Sequence, residues 1–137
     1  SKAYGLAGLR IGYAVVPSSI ASAYARINTP FATNHLACHA ALAALGDKSH
    51  LEETIETVRR SRQLLQQQLP VPTWPSGGNF VLADVGEATA VTAAAQEEGI
   101  ILRDATSFGL PDCVRISCGT VEETEEAIGV LEAILAG

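Results

Sequence analysis

Lysine is scarce in this chain, occurring only at Lys2 and Lys48, and so is cysteine, at Cys38, Cys113 and Cys118. No run of about 18 uncharged apolar residues occurs, which excludes a membrane-spanning helix, and the opening SKAYGLAGLR does not read as a signal peptide. The cysteines form no CxxC pair and their number is odd. That argues against a disulfide framework and for a reducing, cytoplasmic setting in which cysteine serves as a small apolar residue. Such a compartment disfavours an oxidised Cys113–Cys118 pair. Basic side chains are also few, nine against fifteen acidic, for a net charge of −6. Without a basic stripe, neither nucleic acid nor an anionic membrane is expected as a partner.

What remains suits one folded unit. The chain has 137 residues, 47% of them apolar, and a chain of that size buries about two thirds of its unfolded surface. Charge is unevenly placed: residues 1–69 hold seven basic and four acidic groups, whereas residues 70–137 hold two and eleven. The two cations of the acidic half are Arg103 and Arg115.

Short apolar runs alternate with helical stretches, the pattern of an α/β fold. Arg10 to Val16 reads as a strand, ended by Pro17-Ser18-Ser19, and Ser19 to Asn28 as a helix ended by Asn28-Thr29-Pro30. Asn34 can cap an alanine-rich helix that stops at Gly46. Ser49 and Glu52 have the spacing of a capping box. The helix they open is expected to bury Leu51, Ile55, Val58, Leu65 and Leu69, to carry Glu56 and Arg60 as a surface pair, and to end at Pro70. NFVLADV (residues 79–85), Ile100 to Arg103 and Val114 to Ser117 read as strands, and Glu87 to Glu98 as a helix closed by Gly99. Thr120 and Glu123 form a second capping box, opening a helix with Ile128, Leu131, Ile134 and Leu135 inward. The domain boundary is expected at the long helix, with 1–49 and 50–137 on its two sides.

Three features could carry chemistry. Alternation along the strand at 114–117 sends Val114, Ile116 and Cys118 to the core and Cys113, Arg115 and Ser117 to the other face. Arg115 and Arg103 then end consecutive strands, either as counter-ions of surface acids or as a pocket for a carboxylate or phosphate, which a guanidinium binds bidentately. His35 and His39 have the i,i+4 spacing of a metal pair. Leu36 stands where HExxH needs glutamate, and no third ligand is near in sequence, so no metal is expected. Gly5, Gly8 and Gly12 match neither GxGxxG nor the Walker pattern and are read as positions of close backbone approach or positive φ.

The segment S-K-A-Y-G-L-A-G-L-R-I-G-Y resembles the cofactor-lysine signature of class II aminotransferases, fold-type I enzymes that use pyridoxal 5′-phosphate (PLP). Lys2, Ala3, Tyr4, Gly5 and Gly8 fit its pattern, and Arg10 stands where that family has an arginine. GGNFVLADV, GIILRDATSFGLPDCVRISCGT and the closing E-E-T-E-E-A-I-x-x-L helix resemble, in order, the C-terminal half of histidinol-phosphate aminotransferases.

The resemblance covers essentially the whole chain. It implies the C-terminal part of the aspartate-aminotransferase-like fold: the end of the large PLP-binding domain at 1–49 and a small α/β domain, a short sheet covered by helices, at 50–137. It implies that Lys2 is catalytic, forming the Schiff base with PLP and shuttling a proton, and that Ser1 and Arg10 bind the cofactor phosphate. It further implies that Arg103 and Arg115 bind the substrate's phosphate or carboxylate, and that Asn79 lies near the active site. The expected reaction is transfer of an amino group from L-histidinol phosphate to 2-oxoglutarate, in histidine biosynthesis. Partners are then small amino and keto acids, with a homodimer in the whole enzyme. Threonine-phosphate decarboxylases and broad or aromatic aminotransferases share this layout, and a non-catalytic anion-binding or dimerisation module is the alternative of another class. The family's N-terminal residues, among them the aspartate for the pyridine nitrogen, have no counterpart here, so the chain is expected to be a fragment with little activity alone. Its first fifty residues are expected to be mobile or to pair with another copy through an edge strand.

Overall fold

In the computed structural model all 137 residues are described, and they divide into two compact units, Ser1–Ile55 and Glu56–Gly137. The first unit opens with a tight turn, in which the Leu6 N–H donates to the Ser1 carbonyl (2.8 Å) and the Gly5 N–H to that of Lys2 (3.1 Å). Gly5 lies at φ 65°, where a side chain would be strained. A 3₁₀ turn, Ala7–Leu9, follows and ends at Arg10.

The strand expected at Arg10–Val16 does not form; residues 11–17 carry no regular structure. Its β-branched and aromatic side chains suit a pleated surface. A strand exists only when a neighbour completes its hydrogen bonds, though, and all three strands of the molecule lie in the second unit. Val15 is accordingly 93% exposed.

Helix α1 (Ser18–Ile27) begins after Pro17 with no side-chain cap. Helix α2 (His35–Gly46) is capped as expected: Asn34 accepts from the Ala37 N–H at 2.7 Å, satisfying one of the free donors of the first turn. Helix α3 (Lys48–Gln68) is capped differently from expectation. The Asp47 carboxylate accepts from the His50 N–H (3.0 Å), and Ser49, already inside the helix, donates to Glu53 (3.1 Å). A carboxylate outdoes a hydroxyl there because the helix N-terminus favours negative charge.

The remainder of α3 opens the second unit. Leu65 and Leu69 are buried as expected, but Ile55, the last residue of the first unit, is 55% exposed. The ion pair is Glu56–Arg59, at 2.7 Å, rather than Glu56–Arg60. Residues three and four apart are both neighbours on a helix, and Arg59 uses both, since it also donates to Gln63 at 3.0 Å.

Strands β1 (Phe80–Asp84), β2 (Arg103–Asp104) and β3 (Cys113–Ser117) form one antiparallel sheet with β3 in the middle. The β2 strand is shorter than the expected Ile100–Arg103: the chain leaves helix α4 (Ala88–Glu97) through Gly99 at φ 82°, and only Arg103 and Asp104 reach β3. Helix α5 (Val121–Ala136) has the expected capping box, with both the Thr120 and the Glu123 hydrogen bonds present. Val81 pairs with Ile116 and Ala83 with Val114, and these four face Leu65, Val91, Ile128 and Leu131 of the helices. Fully buried side chains such as Leu65 and Leu131 each contribute about 1.5–3 kcal/mol. Cys113 departs from the alternation that placed it outward: at the strand's first position it is buried. The helices thus cover one face of the sheet and leave the other open.

Candidate active-site residues

The first unit holds Ser1, Lys2 and Arg10, all exposed. The turn at Gly5 and the 3₁₀ turn fold the chain between Lys2 and Arg10 into two successive bends. Arg10 lies at φ 55°, ψ 44°, the left-handed region that a long side chain enters only under constraint. Its Nη1 donates to the Ala7 carbonyl at 2.9 Å, which pins one edge of the guanidinium and leaves its other N–H groups free. The Lys2 side chain makes no hydrogen bond or ion pair. Ser1 lines an apolar cavity of about 490 Å³ with Tyr4, Leu6, Tyr13, Cys38 and Leu42, a cavity that neither Lys2 nor Arg10 enters.

The second unit holds Arg103 and Arg115. They stand directly opposite each other in register, Arg103 on β2 and Arg115 on β3, on the open face of the sheet. Sequence spacing put them at the ends of neighbouring strands; the register that makes them partners emerges only from the fold. Each guanidinium lies over a phenylalanine ring, Arg115 over Phe80 at 5.4 Å and Arg103 over Phe108 at 5.5 Å. Like charges placed opposite across a ladder repel. Eleven acidic groups lie in this half of the chain, yet the only ion pair in the molecule is Glu56–Arg59. The arrangement therefore presents two aromatic-backed guanidiniums to solvent, neither in an ion pair, a donor set suited to a carboxylate or phosphate.

Phe80 and Phe108 were not legible as site residues. The available signal was parity: Phe80 shares the outward face of β1 with Leu82, and Leu82 is the register partner of Arg115. Two further residues hold this region. Ser61, fully buried on α3, donates to the Gly119 carbonyl (2.9 Å) just beyond β3, and Arg62 donates to the Gly78 carbonyl (2.8 Å) ahead of β1. Asn79 is exposed, and its backbone carbonyl accepts from the Cys118 N–H at 2.9 Å.

Local fields act on the neighbours. Hydrogen bonds from Thr106, then from Thr89, hold the Asp104 carboxyl below its usual range, with Arg103 a smaller influence. Burial pushes the Cys113 thiol up, with Asp84 and Asp112 acting in the same direction, and burial also raises Cys118 against the opposing pull of Arg62. All three cysteines are free thiols.

Residues 1–131 match the sequence model of the family described as aminotransferase class I and II. The chain is 63% identical over 135 residues to the histidinol-phosphate aminotransferase of Haloquadratum walsbyi, covering 98% of this chain and 36% of that protein. The crystal structure of histidinol-phosphate aminotransferase from Sinorhizobium meliloti in complex with pyridoxal-5′-phosphate superposes with a TM-score of 0.82 at 30% identity, over 98% of this chain and 39% of that one. L-threonine-O-3-phosphate decarboxylase from Porphyromonas gingivalis superposes with a TM-score of 0.77 at 30% identity, over 98% and 44%. The chain thus spans little more than a third of the length of the curated relative. A match that runs from the turn at Lys2 to the interior of α5 includes both units and every candidate residue named above, and the chain belongs to the class I and II aminotransferase family.

Proposed function

We propose that the chain is the C-terminal portion of a PLP-dependent enzyme that transfers the amino group of L-histidinol phosphate to 2-oxoglutarate. In this reading residues 1–49 end the large cofactor-binding domain and residues 50–137 form the small domain. The observation that carries it is the Arg103–Arg115 register pair, outside any ion pair on an open sheet face in a chain whose curated relatives bear that enzyme's name. A phosphate-bearing substrate needs such a fork, and paired arginines hold a dianion through several N–H donors at once.

The residues of the first unit fit the cofactor by donor chemistry: one amine, one hydroxyl and one guanidinium held within a short, turned segment, the last in a backbone conformation that signals constraint. Lys2 would bond the cofactor's aldehyde, and Ser1 and Arg10 would hold its phosphate. Bound there, PLP supplies an electron-withdrawing ring that makes a proton on the neighbouring carbon acidic. With the cofactor bound, Lys2 would hold and move the proton taken from the amino-bearing carbon of the substrate. Arg103 and Arg115 would hold the substrate by its phosphate or carboxylate. Amino donor and keto acceptor follow one another in the same site, as a ping-pong sequence demands.

The first unit exposes Tyr13, Val15, Ile27 and Phe31, apolar surface that the rest of a longer protein and a second copy in a homodimer would cover. A cytoplasmic location accords with three unpaired thiols. No helix is long and apolar enough to cross a membrane.

Borohydride reduction of the chain with PLP, followed by peptide mapping, tests the assignment. Label on Lys2 supports it; label on Lys48, or on neither, refutes it. Loss of histidinol-phosphate binding in Arg103→Ala, with binding of an unphosphorylated amino acid retained, supports the substrate. Equal loss of both ligands points to another branch of the family.

A further inference from the structure

The two histidines at the start of α2 are left unused by the proposed reaction. His35 and His39 lie one turn apart, both exposed, and their Nε2 atoms are 2.9 Å from each other. The rings meet edge to face, 4.4 Å between centroids and 85° between planes. At that separation one nitrogen must present a bare lone pair to the N–H of the other, so the two donor atoms already converge.

We propose that His35 and His39 are a two-imidazole chelate for a late first-row divalent cation of right-angled coordination, with nickel(II) as its probe. The reasoning is geometric. A metal–imidazole bond is about 2.0–2.1 Å long, so two imidazoles on one ion stand about 3.3 Å apart at the tetrahedral angle and about 2.9 Å apart at a right angle. The separation in the structure is 2.9 Å, the value for cis positions of an octahedral or square-planar ion. The expectation from sequence was that no metal binds here, because no third ligand follows at the right spacing. No group of three or more His, Cys, Asp or Glu is assembled anywhere in the chain. That excludes a closed tetrahedral structural site but not an open one, in which water fills the remaining positions. Binding needs no oxidant and no new side chain. The ring that donates moves its proton from Nε2 to Nδ1 through solvent, the hydrogen bond breaks, and two nitrogen–metal bonds form. The consequence is a staple across the first turn of α2, next to the Asn34 cap.

Calorimetric titration of the whole chain with nickel(II) tests the proposal, alongside the variants His35→Gln and His39→Gln, which keep helix propensity. The expected result is one nickel(II) per chain, weakened at least about tenfold by either variant, since even outer partners of a metal ligand are worth about tenfold or more. His50→Gln and Cys38→Ser should leave the titration unchanged, and zinc(II) should bind more weakly than nickel(II). Absence of saturable binding, binding as tight in His35→Gln or His39→Gln as in the parent, or loss on replacing His50 overturns the site. Tighter binding of zinc(II) than of nickel(II) overturns its right-angled geometry. Circular dichroism on each variant separates lost ligation from lost helix.

Discussion

Replacing Ser61 by alanine should destabilise the second unit without touching the open face of its sheet. Ser61 is fully buried on α3 and donates to the carbonyl of Gly119, a contact spanning 58 residues of sequence. Its deletion strands the Gly119 carbonyl, and an orphaned buried polar group costs about 1–3 kcal/mol. Gly119 is only half-buried, so water reaches part of the carbonyl and the lower half of that range, about 1–2 kcal/mol, applies. For a unit of this size each kcal/mol lowers the midpoint of thermal unfolding by about 4–8 °C. The chain's only tryptophan, Trp74, lies in the same unit and its backbone N–H donates to the Leu82 carbonyl of β1, so its fluorescence in urea reports this unit's unfolding. Ser61→Cys, which keeps the volume and a weak donor, should fall between the parent and Ser61→Ala. A Ser61→Ala change within about 0.5 kcal/mol of the parent would show that the hydroxyl holds nothing of value and that the loop after β3 is fixed by other means.

Three further outcomes are expected. Thr120→Ala removes one arm of the capping box on α5 and should cost about 1 kcal/mol, read from thermal melts, whereas Glu123→Gln keeps the reciprocal bond and should cost less. Asp104 has a depressed carboxyl pKa when folded, so its stabilising effect is complete above the unfolded carboxylate range and is lost as pH falls through the folded value, below about pH 4. Acid titrations of stability should therefore be shallower in Asp104→Asn, and an unchanged slope would refute the role given to Thr106 and Thr89. In hydrogen exchange, the amides of Cys113–Ser117 should outlast those of Arg103 and Asp104; the reverse order would contradict the pairing described for β2.

What the sequence made legible was local. The Asn34 cap, the Thr120–Glu123 box and the inward parity of Val114 and Ile116 depend on residues within a turn or a strand of one another, and all appear in the fold. Failures arose where a competitor or a partner lay elsewhere. Asp47 displaced Ser49 because a carboxylate was available two residues earlier, and Arg59 displaced Arg60 because it could serve Glu56 and Gln63 at once. The strand at Arg10–Val16 needed a ladder that no other segment of the chain supplies. The arginines were singled out by scarcity and parity, but their direct opposition is a property of register, and the rings of Phe80 and Phe108 under them follow from that register rather than from any motif.

The strand order gives the two arginines unequal mechanical roles. Arg115 rides on the middle strand, matched at five positions to β1 and flanked on its other side by β2, so it is held from both sides. Arg103 rides on an edge matched at only two positions, joined to α4 through a glycine bend, and is held from one side only. The backbone around Arg103 is therefore expected to open more often than that around Arg115.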